Sequence, residues 1–149
     1  MRTIFYAAAA VALGCSPAKA QQWDAQQTEV WTAVSDSWKR NIDNGAWHVD
    51  MVANAYGWSG NAVVPNSSSD IQRSSSIFGA EGEVLHYRLS PLQISVHGET
   101  AVAHYFAEVT ETDHQGEREN STERCSDTLV KHEGRWKFLG WGCADLRSD

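Results

Sequence analysis

The sequence predicts an α+β fold in which helices from the first half of the chain cover the hollow side of a curved antiparallel sheet. Three observations predict it: an apolar stripe at helical spacing near the N-terminus, four long apolar and β-branched runs after residue 83, and glycine-containing turns between those runs. A long amphipathic helix needs an apolar surface, and a concave sheet face supplies one. The two layers would form a half-open cone around a small chamber.

The first helix is predicted over Gln22 to Ile42. Its apolar residues fall at spacings of one, three and four and form one stripe, which consists of Val30, Trp31, Val34, Trp38 and Ile42. Asp24 is a suitable N-cap, and Asn44-Gly45 ends the helix because glycine adopts the left-handed conformation there.

Two shorter helices are predicted next. Ala46 to Ala55 places Trp47, Met51 and Ala55 on one side, and the segment Tyr56-Gly57-Trp58 follows as a turn or short extended piece. Ser67 to Asp70 offers several caps for a third helix that ends near Phe78. This serine-rich patch could instead form a mobile lid.

Four strands complete the predicted fold. They cover Val84 to Val96, Ala101 to Thr112, Glu119 to Lys131 and Arg135 to Cys143. Turns at Gly98, Gly116 and Gly134 join them into a meander. Runs of this length must curve, and Ser90-Pro91 is a natural place for a bulge because proline lacks a backbone N–H.

Composition limits the class of protein. The 149 residues suit one domain, and the net charge of −7 argues against nucleic-acid binding, which needs clustered lysine and arginine. Apolar residues make up 42% of the chain, as in a globular protein, and seven tryptophans each need a packing partner or a ligand.

Residues 1–20 have the pattern of a secretory signal peptide. The apolar run Ile4 to Leu13 is too short to span a bilayer, and Ala18-Lys19-Ala20 is a cleavage site that makes Gln21 the mature start. The domain then covers 21–149, has no transmembrane segment, and is periplasmic or secreted. The alternative is a lipoprotein anchored at Cys15, whose upstream residues fit a lipobox poorly.

Two cysteines remain after this cleavage, Cys125 and Cys143, and an even number in an oxidising compartment suggests one disulfide. The turn at Gly134 places Cys125 opposite Gly142, one residue from Cys143. A bulge near Gly140 or Gly142 is therefore needed to bring the sulfurs together.

Several segments, in order, resemble the SnoaL-like family of the nuclear transport factor 2-like superfamily. They are Tyr56-Gly57-Trp58, Leu89-Ser90-Pro91-Leu92, Ile94-x-Val96-x-Gly98, Ala101-Val102-Ala103-His104-Tyr105, and Asp127-x-x-Val130-Lys131-x-x-Gly134-Arg135-Trp136-Lys137 up to Trp141. The resemblance implies a cone-shaped fold, a pocket between sheet and helices, and homodimers formed through the sheet. The superfamily includes polyketide cyclases, ketosteroid isomerases, dehydratases, epoxide hydrolases and non-catalytic members, so fold alone does not choose a function.

Alternate residues of one strand would line such a pocket. We expect His104, Phe106 and Glu108 on the pocket face, because this set mixes apolar and ionisable groups, and Tyr105 with its alanine neighbours on the other face. A slip of one residue would exchange the two faces. His104 could move a proton near neutral pH, although a structural histidine is the commoner case.

Further candidates lie on neighbouring strands. A turn centred on Gly98 pairs Arg88 with Glu108. The pair is a surface ion pair, a carboxylate base held by Arg88, or an arginine that anchors an acidic ligand. Asp127 is unusual within a strand, which suggests that a partner holds it. Three aromatic residues are expected at the pocket mouth, Tyr56, Trp58 and Trp141, whereas Trp31, Trp38 and Trp136 are expected in the core.

No spacing of histidines matches a metal-binding motif, and no cofactor is expected. Two functions follow. One is the binding of a small hydrophobic molecule or a partner by a homodimeric, exported protein. The other is a cofactor-independent acid–base enzyme of isomerase, cyclase or dehydratase type, with His104 or Asp127 moving the proton and Arg88 or Tyr56 stabilising an oxyanion.

Overall fold

The computed structural model describes residues 22–59, 62–74, 82–113 and 115–146. In chain order the elements are α1 (Ala25–Asn44), a 3-10 helix (Trp47–Asp50), β1 (Met51–Trp58), β2 (Asn66–Ser67), α2 (Ser68–Ser74), β3 (Gly82–His97), β4 (Thr100–Asp113), β5 (Arg118–His132) and β6 (Arg135–Asp145). Two helices pack against a curved, open, mostly antiparallel sheet, so the predicted α+β fold class is confirmed.

Helix α1 begins and ends where its sequence requires. Asp24 caps the first turn by accepting from the Gln27 N–H, and the Gln27 side chain accepts from the Asp24 N–H in return. Gly45 ends the helix with φ 67°, a left-handed conformation that suits glycine. Val30 and Val34 are fully buried under the helix, and the Gln27 amide donates to the Ile94 carbonyl of β3 at 2.8 Å. This face of α1 is therefore fixed on the hollow side of the sheet.

The sheet has the order β2-β1-β6-β5-β4-β3, in which β1 runs parallel to β6 and the other neighbours pair antiparallel. The four predicted strands are confirmed as β3 to β6. Arg88 pairs with Glu108 as predicted from the turn at Gly98. The register of β3 shifts between Pro91 and Gln93, next to the proline at which a bulge was expected.

The prediction of a second helix over Ala46 to Ala55 is wrong. The chain forms a single 3-10 turn at Trp47–Asp50 and then strand β1, which adds an edge to the sheet beside β6. The spacing of Met51 and Ala55 by four residues fits a strand face as well as a helix face, and pairing with β6 decides between them. The third helix forms as α2, and its predicted end near Phe78 lies outside the described residues.

A bulge in β6 places the two cysteines opposite each other. Thr128 pairs with Gly140 but Leu129 pairs with Phe138, so Leu139 is the extra residue of β6. This shift places Cys125 opposite Cys143, and the structure joins them in a disulfide with Cα atoms 4.1 Å apart. The predicted pairing and the bulge that it requires are both confirmed.

The core lies between α1 and the hollow face of the sheet. Its buried side chains include Val30, Val34, Ile94, Ala101, Ala103, Ala107, Leu129 and Phe138. The alanines of β4 let α1 approach the sheet closely. Neither helix in the described part of the chain has the length and apolar character needed to cross a bilayer.

Candidate functional site

A cavity of about 170 Å³ lies between the C-terminal half of α1, the end of β1 and the hollow face of β4 to β6. We call it the tryptophan cavity because four indole rings form much of its wall. Its lining consists of Ser37, Trp38, Asn41, Trp47, Trp58, Ser59, Tyr105, Glu123, Asp127, Trp141 and Cys143. An apolar cavity of about 150 Å³ can hold a benzene-sized molecule, so one small ring system would fit here.

A chain of two hydrogen bonds crosses the floor of the cavity. The Trp38 Nε1–H donates to the Tyr105 hydroxyl at 2.8 Å, and that hydroxyl donates to Asp127 Oδ2 at 2.8 Å. Asp127 pairs with Ala103 across β5 and β4, and Tyr105 lies two residues further along β4, so both side chains point to the hollow face. The Tyr105 hydroxyl thus links Trp38 of α1 to the Asp127 carboxyl of the sheet.

The surroundings change the acidity of this carboxyl. Asp127 is 2% exposed, and burial raises its pKa from 3.8 to about 7, although the hydrogen bond from Tyr105 acts in the opposite direction. Burial and the nearby Asp127 raise the pKa of the Tyr105 hydroxyl above its ordinary range. Near neutral pH the carboxyl can therefore exist in both protonation states, while the tyrosine remains a hydrogen-bond donor.

A second carboxyl, that of Glu123, lines the same cavity. Burial raises its pKa, and the negative charges of Asp145 and Glu111 raise it further. Glu123 and Asp127 lie four residues apart on β5 and share its hollow face. The wall of the cavity is thus acidic at two points.

The aromatic rings of the wall hold one another in place. The rings of Trp47 and Trp141 meet edge to face with centroids 5.1 Å apart, and those of Trp38 and Tyr105 meet in the same way at 6.4 Å. The Trp141 Nε1–H donates to Ser59 Oγ at 3.3 Å. These contacts give the cavity a preformed shape.

Two polar residues of α1 also face the cavity. Ser37 is fully buried, and its hydroxyl has no hydrogen-bond partner among the described residues. Asn41 lies one turn further on the same helix face. The sequence contains the signal for both, because Ser37 and Asn41 continue the Val30–Val34 stripe at positions where an apolar residue would be expected.

The structure brings three of the sequence-predicted site residues to the cavity: Asp127, Trp58 and Trp141. It also brings Trp38 there, so the assignment of Trp38 to the core alone is wrong. Tyr105 and Glu123 were missed as site residues. The register of β4 with β5 could have identified Tyr105, because it places that ring beside Asp127.

The predicted face of β4 is wrong. His104 pairs with Ser126 on the outer face of the sheet, opposite to the face that carries Tyr105 and Asp127, and it does not line the tryptophan cavity. Phe106 and Glu108 share that outer face with His104. The mixed polarity of this set is typical of an exposed sheet face, whereas the small residues of the other set leave room for α1.

The remaining predicted pocket residues also lie outside the cavity. Arg88 and Glu108 form an exposed ion pair with bonds of 2.6 to 3.0 Å, as the cross-strand alternative predicted. Tyr56 is 58% exposed and borders a shallow depression on the outer face. Neither Arg88 nor Tyr56 is placed to stabilise an oxyanion at Asp127.

One group of side chains has the composition of a metal site. Ligand atoms of Glu123, Cys125 and Cys143 lie within 4.8 Å of one another. Because the two sulfurs are bonded to each other, they are not thiolate ligands while the disulfide is intact. In the oxidised chain this cluster is therefore not a metal centre, and two of its members, Glu123 and Cys143, line the cavity.

Several solved structures share the fold of this chain. A ketosteroid isomerase-like protein from Erwinia carotovora atroseptica superposes with a TM-score of 0.72 at 11% identity, over 85% of this chain and all of that one. The CaMKII hub of S. rosetta gives 0.69 at 14% identity, over 84% of this chain and all of that one. Aln2 from Streptomyces gives 0.63 at 20% identity, over 83% and 93%. At these identities the likeness establishes the fold alone.

Among curated proteins, no sequence matches this chain. A family model for the SnoaL-like domain does match, over residues 47–142, which include the 3-10 helix, α2 and most of the sheet. The matched region contains most of the cavity lining, but it excludes α1 with Ser37 and Asn41. The match and the fold agree with the resemblance carried by the sequence motifs, and the chain belongs to the SnoaL-like family of the nuclear transport factor 2-like superfamily.

Proposed function

We propose that the chain is a binding protein for a small, largely apolar ligand, which the tryptophan cavity encloses. The observation that carries the proposal is the preformed cavity itself, in which four indole rings surround a buried carboxyl. Ligand sites are mostly apolar with a few placed polar groups, and this wall has that composition.

Replacing Trp58 with alanine tests the proposal. Trp58 is 48% exposed, so its removal leaves the core intact but opens one wall of the cavity. We expect one-ring ligands such as 2-phenylethanol and phenethylamine to quench tryptophan fluorescence saturably, and Trp58→Ala to weaken binding about tenfold. Tyr56→Ala is the matched control, because Tyr56 lies on the same strand outside the cavity. Equal losses in both variants, or no saturable binding, would contradict the proposal.

A second function, acid–base catalysis without a cofactor, is favoured by one observation. The pKa of Asp127 is raised to about 7, which is the range that suits a general acid or base at neutral pH. The base would be Asp127 without His104, since the two lie on opposite faces. Incubating a small ketone with the protein in D₂O tests this function. The protein should accelerate the exchange of the ketone's α-protons for deuterium, and Asp127→Asn should abolish this acceleration.

Homodimerisation through the outer sheet face is also part of the proposal. Large side chains that border depressions on the outer face are exposed, among them Tyr56 and Leu92. Solved structures with the same fold include an assembly named as a hub. Light scattering of the purified protein should give twice the mass of one chain, and a monomer at micromolar concentration would exclude the dimer.

Export is the last part of the proposal. The signal peptide predicted at 1–20 and Cys15 lie outside the described residues. The disulfide between Cys125 and Cys143 supports an oxidising compartment. The intact mass of the exported protein should correspond to a chain that begins at Gln21, whereas a lipidated N-terminus would establish anchoring at Cys15.

A further inference from the structure

The ionisable groups in the wall of the tryptophan cavity include carboxyl groups but no basic group among the described residues. Two carboxyl groups, those of Glu123 and Asp127, lie in its wall, and the described residues that line it include no lysine, arginine or histidine. Within the described chain neither carboxyl forms an ion pair. The ionised carboxyl groups would repel an anionic ligand and attract a cation, and no described cation of the wall compensates their charge.

The aromatic wall favours the same sign of charge. The faces of indole and phenol rings carry negative potential, and a cation over them gains up to about 2 kcal/mol when it is shielded from water. Trp38, Trp47, Trp58 and Trp141 all border the cavity, and Tyr105 forms part of its floor. Rings and carboxyl groups together are the usual surroundings of a bound organic ammonium group.

Ser37 adds a hydrogen-bonding requirement. Its hydroxyl lies fully buried at the wall and has no partner in the described part of the chain, and a buried polar group in that state is costly unless a ligand satisfies it. An ammonium N–H can donate to this oxygen. A quaternary ammonium group has no such N–H, so the site favours a protonated amine.

We propose that the tryptophan cavity selects a small protonated amine carried on an apolar body of about one ring. This inference rests on the proposed function and specifies its ligand. The ammonium group lies among Ser37, Asp127 and the indole faces, and the ring occupies the space between Trp58 and Trp141. Glu123 supplies the second negative charge.

Affinity for such a ligand depends on pH in a defined direction. The pKa of Asp127 is about 7, and only its ionised form attracts the ammonium group. Among the residues that the structure describes, the titratable groups that face Asp127 across the cavity are Tyr105 on β4 and Glu123 on β5, and the lining residues of α1, β1 and β6 carry no charge. Between pH 6 and pH 8 the ionised fraction rises about tenfold, and the affinity for the amine rises with it.

Three one-ring ligands of similar size and different charge distinguish the possibilities: phenethylamine, 2-phenylethanol and phenylacetate. By tryptophan fluorescence and calorimetry at pH 8, we expect the amine to bind at least about tenfold more tightly than the alcohol, and phenylacetate to bind most weakly. The preference for the amine should fall to about threefold or less in Asp127→Asn. Glu123→Gln should reduce it partially, and Asp36→Asn, an exposed carboxyl on α1, should leave it unchanged.

The outcomes separate this inference from the proposed function. If the alcohol binds as tightly as the amine, the selection of a cation is wrong and the apolar binding site stands. If none of the three ligands binds, both are wrong. If Asp127→Asn is unstable, the affinity of the unmodified protein for the amine is measured between pH 6 and pH 8 instead. An affinity that does not rise over this range would overturn the inference.

Discussion

Replacing Gly57 with alanine should destabilise the domain by about 3 kcal/mol or more, because a methyl group at this position has no room. Gly57 lies on β1 directly beside Trp141 of the parallel strand β6. A Cβ at this position would overlap Cγ and Cδ2 of the Trp141 ring and its backbone carbonyl oxygen. Denaturant unfolding followed by circular dichroism measures the loss.

Trp141 cannot move aside at low cost. It is 5% exposed, its ring packs against Trp47, and its indole N–H is bonded to Ser59. The added methyl group must therefore either push β1 away from β6 or displace a wall of the tryptophan cavity. In both cases ligand binding should be lost together with stability.

Gly142→Ala is the matched control. Gly142 lies on β6 beside Trp58, one residue from Trp141, and a Cβ there would have no atom within 4 Å. We expect a change in stability within about 0.5 kcal/mol, as for other substitutions without a new contact. If Gly57→Ala behaves like Gly142→Ala, then β1 does not pair with β6 in this register and the cavity lacks its described wall.

The contrast between β1 and the later strands explains how much of the fold the sequence could predict. Strands β3 to β6 are joined by short turns, so local signals fixed their bounds, the pairing of Arg88 with Glu108 and the need for a bulge before Cys143. Strand β1 pairs with a strand that is more than 75 residues away in the chain. No local pattern reports such a contact, and the four-residue spacing of Met51 and Ala55 suits either secondary structure.

The same distinction applies to the site. Asp127 was predicted because an aspartate within a strand needs a partner, and that partner is Tyr105. His104 was preferred to Tyr105 because pocket walls were expected to mix polar and apolar residues. The side on which α1 lies determines which face of β4 is the inner one, and this is a tertiary contact between distant segments. Ser37 carried a usable signal, since a polar residue interrupts an otherwise apolar helix stripe.

The second large effect concerns the dependence of stability on pH, and Asp127 should dominate it. Its pKa is 3.8 in the unfolded chain and about 7 in the folded one. The folded state therefore binds the proton more tightly, and stability falls as the pH rises from about 4 to about 7. Three pKa units correspond to at most about 4 kcal/mol, which is fully lost above the folded pKa.

Asp127→Asn removes this titration and keeps the oxygen that accepts from Tyr105. We expect the variant to match the unmodified protein near pH 4 and to be more stable by up to about 4 kcal/mol at pH 8. Tyr105→Phe acts in the opposite direction, because the hydrogen bond from Tyr105 lowers the pKa of Asp127. Its loss should extend the fall in stability to higher pH. Urea unfolding at one-unit pH steps measures both.

A second carboxyl of the cavity also has a raised pKa, and the variants separate its contribution from that of Asp127. Glu123 also lies in the cavity with a raised pKa, so its contribution remains in Asp127→Asn and is removed only in Glu123→Gln. Asp36→Asn controls for the loss of an exposed carboxyl on α1. If Asp127→Asn retains the full pH dependence of the unmodified protein, then Asp127 is not buried against Tyr105 and Trp38, and the cavity would be a solvated cleft. If the dependence of stability on pH instead disappears in Asp127→Asn, the Asp127 carboxyl is neutral in the folded protein at low pH. Such a carboxyl can lose its proton when a cation binds in the cavity.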